Sequence, residues 1–236
     1  MSNFSNKVQV FLEYFIAHEG YKTVLLGLRN TLEIACLGLV IGIIFGTLIA
    51  TTRVIPRTNP AAKFFSGLSG FYVNLFRGTP IVVQLLVFYY VLMPLMNLHM
   101  NSVTVAVVVF GMNSAAYISE IMRAGILSVD SGQMEGGRAI GLSYATTMIK
   151  IVIPQAIKNI LPTLGNEFVS LIKETSVVSF VGATDLYVAF NRIGSNSYEF
   201  MVPYLVMALI YIVVVLIISL GIKCMERSLR KSDKGI

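Results

Sequence analysis

Two apolar stretches of the chain carry polar side chains at helical spacing. Asn113, Ser114, Tyr117 and Glu120 recur at i, i+3/4 and i+7, and Thr163, Asn166, Glu167, Ser170, Lys173 and Glu174 repeat the pattern further along. Carboxylate, phenol, hydroxyl and amide groups on helix faces are suited to holding a zwitterion by hydrogen bonds and charge. No hydrolytic or metal chemistry competes: the chain has two His and two Cys, with no H-E-x-x-H, no Cys/His cluster and no G-x-S-x-G. Ionisable groups at bilayer depth cost about 2.5–3.5 kcal/mol each on insertion scales, so they mark ion pairs or pathways. Two readings follow. Lys173, Glu174 and Arg77 suit an ion-pair network that fixes helix packing, and Glu120 with Arg123 suits a pair near the membrane interface. Asn113, Tyr117, Glu167 and Ser170 suit ligand contact. Pairing the two helices antiparallel, about centres near Asn113–Ala115 and Ile172, brings Tyr117 to the depth of Ser170 and Glu167.

The elements that position these groups follow from composition. The 236 residues are 56% hydrophobic and 13% charged, with a mean hydropathy of +0.76. Soluble domains carry about 25% charged residues, so a cytosolic enzyme, a disulfide scaffold and a disordered chain are excluded. An all-α membrane protein remains, a single transmembrane domain over residues 1–236. Segments of about 20 apolar residues predict five spans: Val24–Thr52, Ala61–Leu95, Val103–Leu127, Leu161–Ala183 and Met201–Met225. The second is interrupted by Arg77-Gly78-Thr79-Pro80, where proline breaks or kinks the helix. Residues 1–22 hold Glu13 and Glu19 and no apolar signal-peptide core. Phe4, Val8, Phe11, Leu12 and Phe15 instead predict an amphipathic helix on the membrane surface, or else a frayed terminus.

The net charge of +6 reads as topology. Arg53, Arg57 and Lys63 follow the first span, Arg123, Arg138, Lys150 and Lys158 the third, and Lys223, Arg227, Arg230, Lys231 and Lys234 the fifth. Basic residues collect in cytoplasmic loops, which places the N-terminus outside and the C-terminus inside. Gly38, Gly42 and Gly46 form overlapping G-x-x-x-G steps, a close-contact face either within the subunit or across a dimer. Cys36 and Cys224 lie in apolar runs and read as packed small hydrophobes.

The loop over residues 128–158 is neither apolar nor simple. Gly132–Ser143 opens as a short helix, Gly141 supplies a turn, Ser143 caps a second helix over Tyr144–Ile153, and Pro154 closes it. This elbow suits docking of a soluble partner or a structural turn. Glu135-Gly136-Gly137, three residues, Gly141, nine residues and Ile151-Val152-Ile153-Pro154 resemble the EAA loop of ATP-binding-cassette (ABC) importer membrane subunits, with glycine in place of both alanines and Ile153 in place of leucine. Phe76–Pro80 resembles the R-G-T-P segment of the polar-amino-acid branch, Ala116–Ile126 its A-Y-x-x-E-x-x-R-G-G-I segment with Ala124 for glycine, and Lys173–Ser176 its K-D-T-S segment with Glu174 for Asp.

The resemblance implies a type I ABC importer permease, a multi-pass protein of the bacterial cytoplasmic membrane. It implies a coupling helix built from Glu135, Gly136, Gly137, Arg138, Gly141 and Leu142 and seated in a groove of an ATPase subunit. It also implies an ATPase dimer, a second permease subunit (a copy or a paralogue) and an extracytoplasmic substrate-binding protein as partners. No G-x-x-x-x-G-K-[ST] loop occurs, so ATP and Mg are expected in the partner ATPase, with no cofactor and no enzymatic activity in this chain. Partners are lipid and an amino acid, not nucleic acid. Asn166-Glu167 resembles the basic-amino-acid permeases, whereas Asn-Gln is the glutamine-like version, so a cationic substrate is expected; glutamine, glutamate or another polar amino acid is the alternative. An ion-coupled secondary transporter explains the polar stripes, yet no internal repeat is evident.

Overall fold

The computed structural model describes residues 4–55 and 59–233, with side chains through residue 229. Of the basic residues that set orientation, Arg57 and Lys234 lie outside the described residues, and Arg230 and Lys231 are described by backbone alone. Among the described residues every regular element is helical. In order they are α1 (Phe4–Leu12), α2 (Gly20–Val54), α3 (Pro60–Arg77), α4 (Ile81–Val87), α5 (Met93–Leu95), α6 (Ser102–Leu127), α7 (Ser131–Ala139), α8 (Tyr144–Thr147), α9 (Ile153–Glu174), α10 (Leu186–Ser197) and α11 (Met201–Asp233).

Among the described residues three helices are long and apolar enough to cross a membrane: Gly20–Val54, Ser102–Leu127 and Met201–Leu229. Pro60–Arg77 with Ile81–Leu95 reaches that standard only as a pair, broken where the Gly78–Pro80 segment was expected to interrupt the second span. The expected span Leu161–Ala183 is different. Its residues belong to α9, which begins earlier, at Ile153, and to a 3-10 helix over Thr175–Val181 that ends at Gly182 with φ +74°. Lys158, Asn159, Thr163, Asn166, Glu167, Lys173 and Glu174 leave α9 amphipathic rather than uniformly apolar.

Pro154 does not close the elbow's second helix. From α8 the chain passes through a five-residue π turn, Met148–Val152, directly into α9, where Pro154 is the second residue. The same arrangement occurs at Phe88–Leu92, a π turn followed by Pro94 in α5. Proline has no N–H to give and its ring crowds the carbonyl four residues back. A widened turn just before it relieves both demands without ending the helix.

The described chain divides into two compact units. The first comprises Met1–Gly38, Thr79–Gly111 and Ser170–Ile217. Its core joins Phe11, Val24, Phe190, Ile193 and Val202, with Val8 and Phe15 packed against them. The N-terminal stripe thus splits. Val8, Phe11 and Phe15 pack on protein, while Phe4 and Leu12 remain exposed, so α1 is seated on the fold rather than merely lying on lipid. Lys7 Nζ ties it further to Glu199 at 2.9 Å.

Asp185 caps α10, its Oδ1 accepting from the Val188 N–H at 2.9 Å, and is fully buried. Its Oδ2 has no hydrogen-bond partner among the described residues, and burial pushes the carboxyl up to about 6. The backbone around this cap is held close to α2: Asn30 donates to the Thr184 carbonyl at 2.7 Å, and a Cβ on Gly27 would meet the Asp185 carbonyl at 2.4 Å.

The second unit comprises Leu39–Gly78, Met112–Val169 and Ile218–Ile236. Ile118, Ala156, Ile160 and Leu164 form its core, flanked by Leu39, Ile43, Ile121 and Met122. Cys36 and Cys224, expected to be packed, are free and exposed among the described residues. Surfaces of spanning helices that face lipid tolerate such small apolar side chains.

Candidate functional site

The second unit gathers most of the polar column. On α6, Asn113 and Ser114 are buried and Tyr117 is about one-third exposed. Ser114 Oγ donates to the Glu167 carboxylate of α9 at 3.3 Å. This brings Glu167 to α6 one turn before Tyr117. The pairing with Tyr117 inferred from helix centres is therefore displaced by about a turn, because α9 starts at Ile153 and is longer than its apolar portion suggests. Ser170 follows Glu167 by three residues on the same helix and is half-buried.

Small residues of α2 make room for this column. A Cβ on Gly42 would lie 2.6 Å from Ser114 Oγ, and one on Gly46 2.9 Å from the Ala115 carbonyl. In the first unit a Cβ on Gly38 would meet Phe110 Cβ at 3.2 Å. The glycine stripe is thus a face within the subunit, packed on α6.

Tyr117 opens onto a cleft of about 740 Å³. Arg77, the last residue of α3, lies over its ring with the guanidinium carbon 5.3 Å from the centroid. Glu120, Gly125, Asn159 and Thr163 also line the cleft. Glu120 is engaged twice: Arg123 reaches it at 2.8 Å and 3.0 Å, and Arg53 of α2 binds its other oxygen. The expected Glu120–Arg123 pair is present. Arg53, which the sequence marked only as a loop charge, completes it, since α2 continues to Val54 and carries the guanidinium inward. Lys173 and Glu174 are neighbours at the end of α9 in the first unit, and Arg77 ends α3 in the second.

The elbow is built as its residues demand. Asp130 caps α7 through the Gly132 N–H at 2.6 Å, and Gly141 takes φ +90°, a conformation that favours glycine. Leu142, half-buried, donates its N–H to the Gly137 carbonyl at 3.1 Å, and Ser143 caps α8 through the Thr146 N–H at 3.1 Å. The adjacent glycines differ. Gly137 is buried, and a Cβ there would lie 2.5 Å from Thr147 Cγ2, whereas Gly136 has open space around it. Glu135, Gly136 and Arg138 are exposed, beside an Ile140 that is 78% exposed. Gln133–Gln155 and Ser128–Asn159 side-chain hydrogen bonds, at 3.2 and 2.9 Å, tie the elbow to α9.

Known proteins resemble this chain in sequence and fold. The chain is 37% identical over 210 residues to the arginine transport system permease protein ArtQ of Bacillus subtilis (strain 168), covering 89% of this chain and 94% of that one. It is 35% identical over 203 residues to the putative glutamine transport system permease protein GlnP of Rickettsia prowazekii, covering 86% and 91%. A crystal structure of an amino acid ABC transporter with histidines superposes with a TM-score of 0.83 at 36% identity, covering 91% of this chain and 98% of that one. Residues 31–231 match the family model for the inner membrane component of binding-protein-dependent transport systems. The chain belongs to that family, as a multi-pass, all-helical permease of the cytoplasmic membrane with the type I ABC importer fold.

Proposed function

We infer that this chain is the membrane-spanning subunit of an ATP-driven importer that carries polar, chiefly basic, amino acids by alternating access. The observation that carries the reading is the buried polar column: Asn113 and Ser114 on α6, with Glu167 of α9 accepting from Ser114 at 3.3 Å. Together with Tyr117 and Ser170, these residues form the substrate contacts. A carboxylate in such surroundings favours a guanidinium or ammonium side chain. The similarity to an arginine permease supports that choice, while the similarity to putative glutamine permeases keeps glutamine as the competing substrate.

The elbow of Glu135, Gly136, Gly137, Arg138, Gly141 and Leu142 is the coupling helix. Its exposed face docks in an ATPase subunit, which binds ATP and Mg and hydrolyses the nucleotide. The N-terminus is outside and the C-terminus cytoplasmic, so that the elbow faces the ATPases. Two permease subunits form the path, and an extracytoplasmic binding protein delivers the substrate. Reconstitution with the ATPase and the binding protein tests this. Uptake of labelled L-arginine or L-lysine is expected to require ATP. Uptake driven by an ion gradient without ATP would overturn the reading.

A further inference from the structure

Three buried side-chain polar atoms have no hydrogen-bond partner among the described residues: Ser66 Oγ, Asp185 Oδ2 and Tyr211 Oη. Buried polar groups are almost always satisfied, so two such atoms in one place point to a ligand that bridges them. Asp185 and Tyr211 share one place. The Tyr211 hydroxyl, on α11, feels the Asp185 charge and the hydroxyls of Thr31 and Thr175. Thr31, Thr175 and Asp185 are each at most 1% exposed, and all four residues belong to the first compact unit.

The atoms that meet here are oxygens with lone pairs to offer. Thr175 Oγ1 gives its hydrogen to the Ile172 carbonyl at 2.8 Å, which leaves it an acceptor. Thr31 Oγ1 accepts from the Leu186 N–H at 3.3 Å and keeps a second lone pair. Asp185 spends Oδ1 on the Val188 N–H, and no Lys, Arg or His acts on its charge. The donor set is therefore one carboxylate with neutral hydroxyls. Calcium and magnesium prefer richer sets, with more carboxylates or several waters, and no group of three His, Cys, Asp or Glu side chains occurs among the described residues. The charge balance suits a monovalent ion. The backbone suits it too: residues 183–185 are unwound between the 3-10 helix Thr175–Val181 and α10, and interrupted helices are where transporters hold sodium.

We propose that Asp185 Oδ2, Tyr211 Oη, Thr31 Oγ1 and Thr175 Oγ1 hold a sodium ion in the first unit. The ion neutralises the enclosed carboxylate and joins α2, the 3-10 helix, α10 and α11 at one point. Without it, only a proton relieves the charge.

The test is equilibrium binding of radioactive sodium to the permease–ATPase complex in lipid nanodiscs, in choline chloride near neutral pH, with Tm read on the same samples. One sodium per copy of this chain is expected. Sodium chloride should raise Tm above choline chloride of equal ionic strength, and potassium chloride should raise it less. Asp185→Asn, which keeps an oxygen to cap α10, should weaken sodium binding tenfold or more and remove the difference between the salts. Tyr211→Phe keeps the ring and its packing and should weaken binding threefold or more, which guards against a folding defect in the first variant. Absence of sodium-specific binding, the result expected if a water molecule alone bridges these oxygens, overturns the proposal. So does potassium bound as tightly as sodium, or sodium binding untouched by both substitutions.

Discussion

The Ser114 hydroxyl lies 3.3 Å from a Glu167 carboxylate oxygen, joining α6 to α9 at the level of a buried asparagine. If Glu167 selects the substrate side chain, its charge should matter more than its shape. Glu167→Gln keeps an acceptor for Ser114 and removes the charge. Affinity for L-arginine and L-lysine is expected to fall tenfold or more, with L-glutamine binding unchanged or improved. Equilibrium binding to the purified complex measures it; unaltered arginine affinity would remove Glu167 from the contact set.

The glycine face of α2 gives a stability prediction with an internal control. Gly42→Ala forces a methyl group 2.6 Å from Ser114 Oγ, closer than any relaxed contact, and overpacking of this kind costs about 1–3 kcal/mol. Gly67 and Gly70 on α3 have open space where a Cβ would stand. Alanine there should be neutral or stabilise by up to about 1 kcal/mol through helix propensity. Thermal unfolding of the detergent-solubilised protein should lower Tm for Gly42→Ala alone.

The paired glycines of the elbow should respond in opposite directions. Gly136→Ala adds helix propensity, about 1 kcal/mol, without a clash. Gly137→Val drives side-chain atoms into Thr147 and separates α7 from α8. Co-purification of the ATPase subunit and substrate-stimulated ATP hydrolysis should survive the first change and be lost or much reduced with the second. Equal behaviour of the two variants would count against the elbow as the docking element.

Asp185 predicts an inverted acid response. Its carboxyl titrates near 6 when folded, above the ordinary value of 3.8, because burial disfavours the charge. A raised carboxyl contributes stability that is complete below the unfolded value and lost as pH rises through the folded one. Tm should therefore increase as pH is lowered from 7 towards 5. Asp185→Asn keeps a capping oxygen for Val188 and should flatten that slope. A slope unchanged by this substitution would assign the pH response elsewhere.

The legible part of the molecule was local. Gly141 and Ser143 announced the elbow because a left-handed turn and an N-cap are decided by the residue itself. The break at Gly78–Pro80 was legible for the same reason. What sequence spacing missed was decided at a distance. Pro154 reads as a stop, and only the π turn at Met148–Val152 shows how a helix can continue through it. Because α9 begins at Ile153, the depth match between Glu167 and Tyr117 shifted to Ser114. Arg53 looked like a loop cation until α2 proved long enough to carry it to Glu120. Asp185 ahead of the apolar Leu186 carried a cap signal that could have been read, but its burial against α2 could not.

The two cysteines have a practical consequence. Cys36 belongs to the first compact unit and Cys224 to the second, and both thiols are unbonded and exposed. The native chain thus comes with one attachment point for a lipophilic maleimide or nitroxide in each unit. Spectroscopy of such labels would report the surroundings of each thiol without introducing a foreign residue. For the same reason, any labelling scheme aimed elsewhere must first replace both.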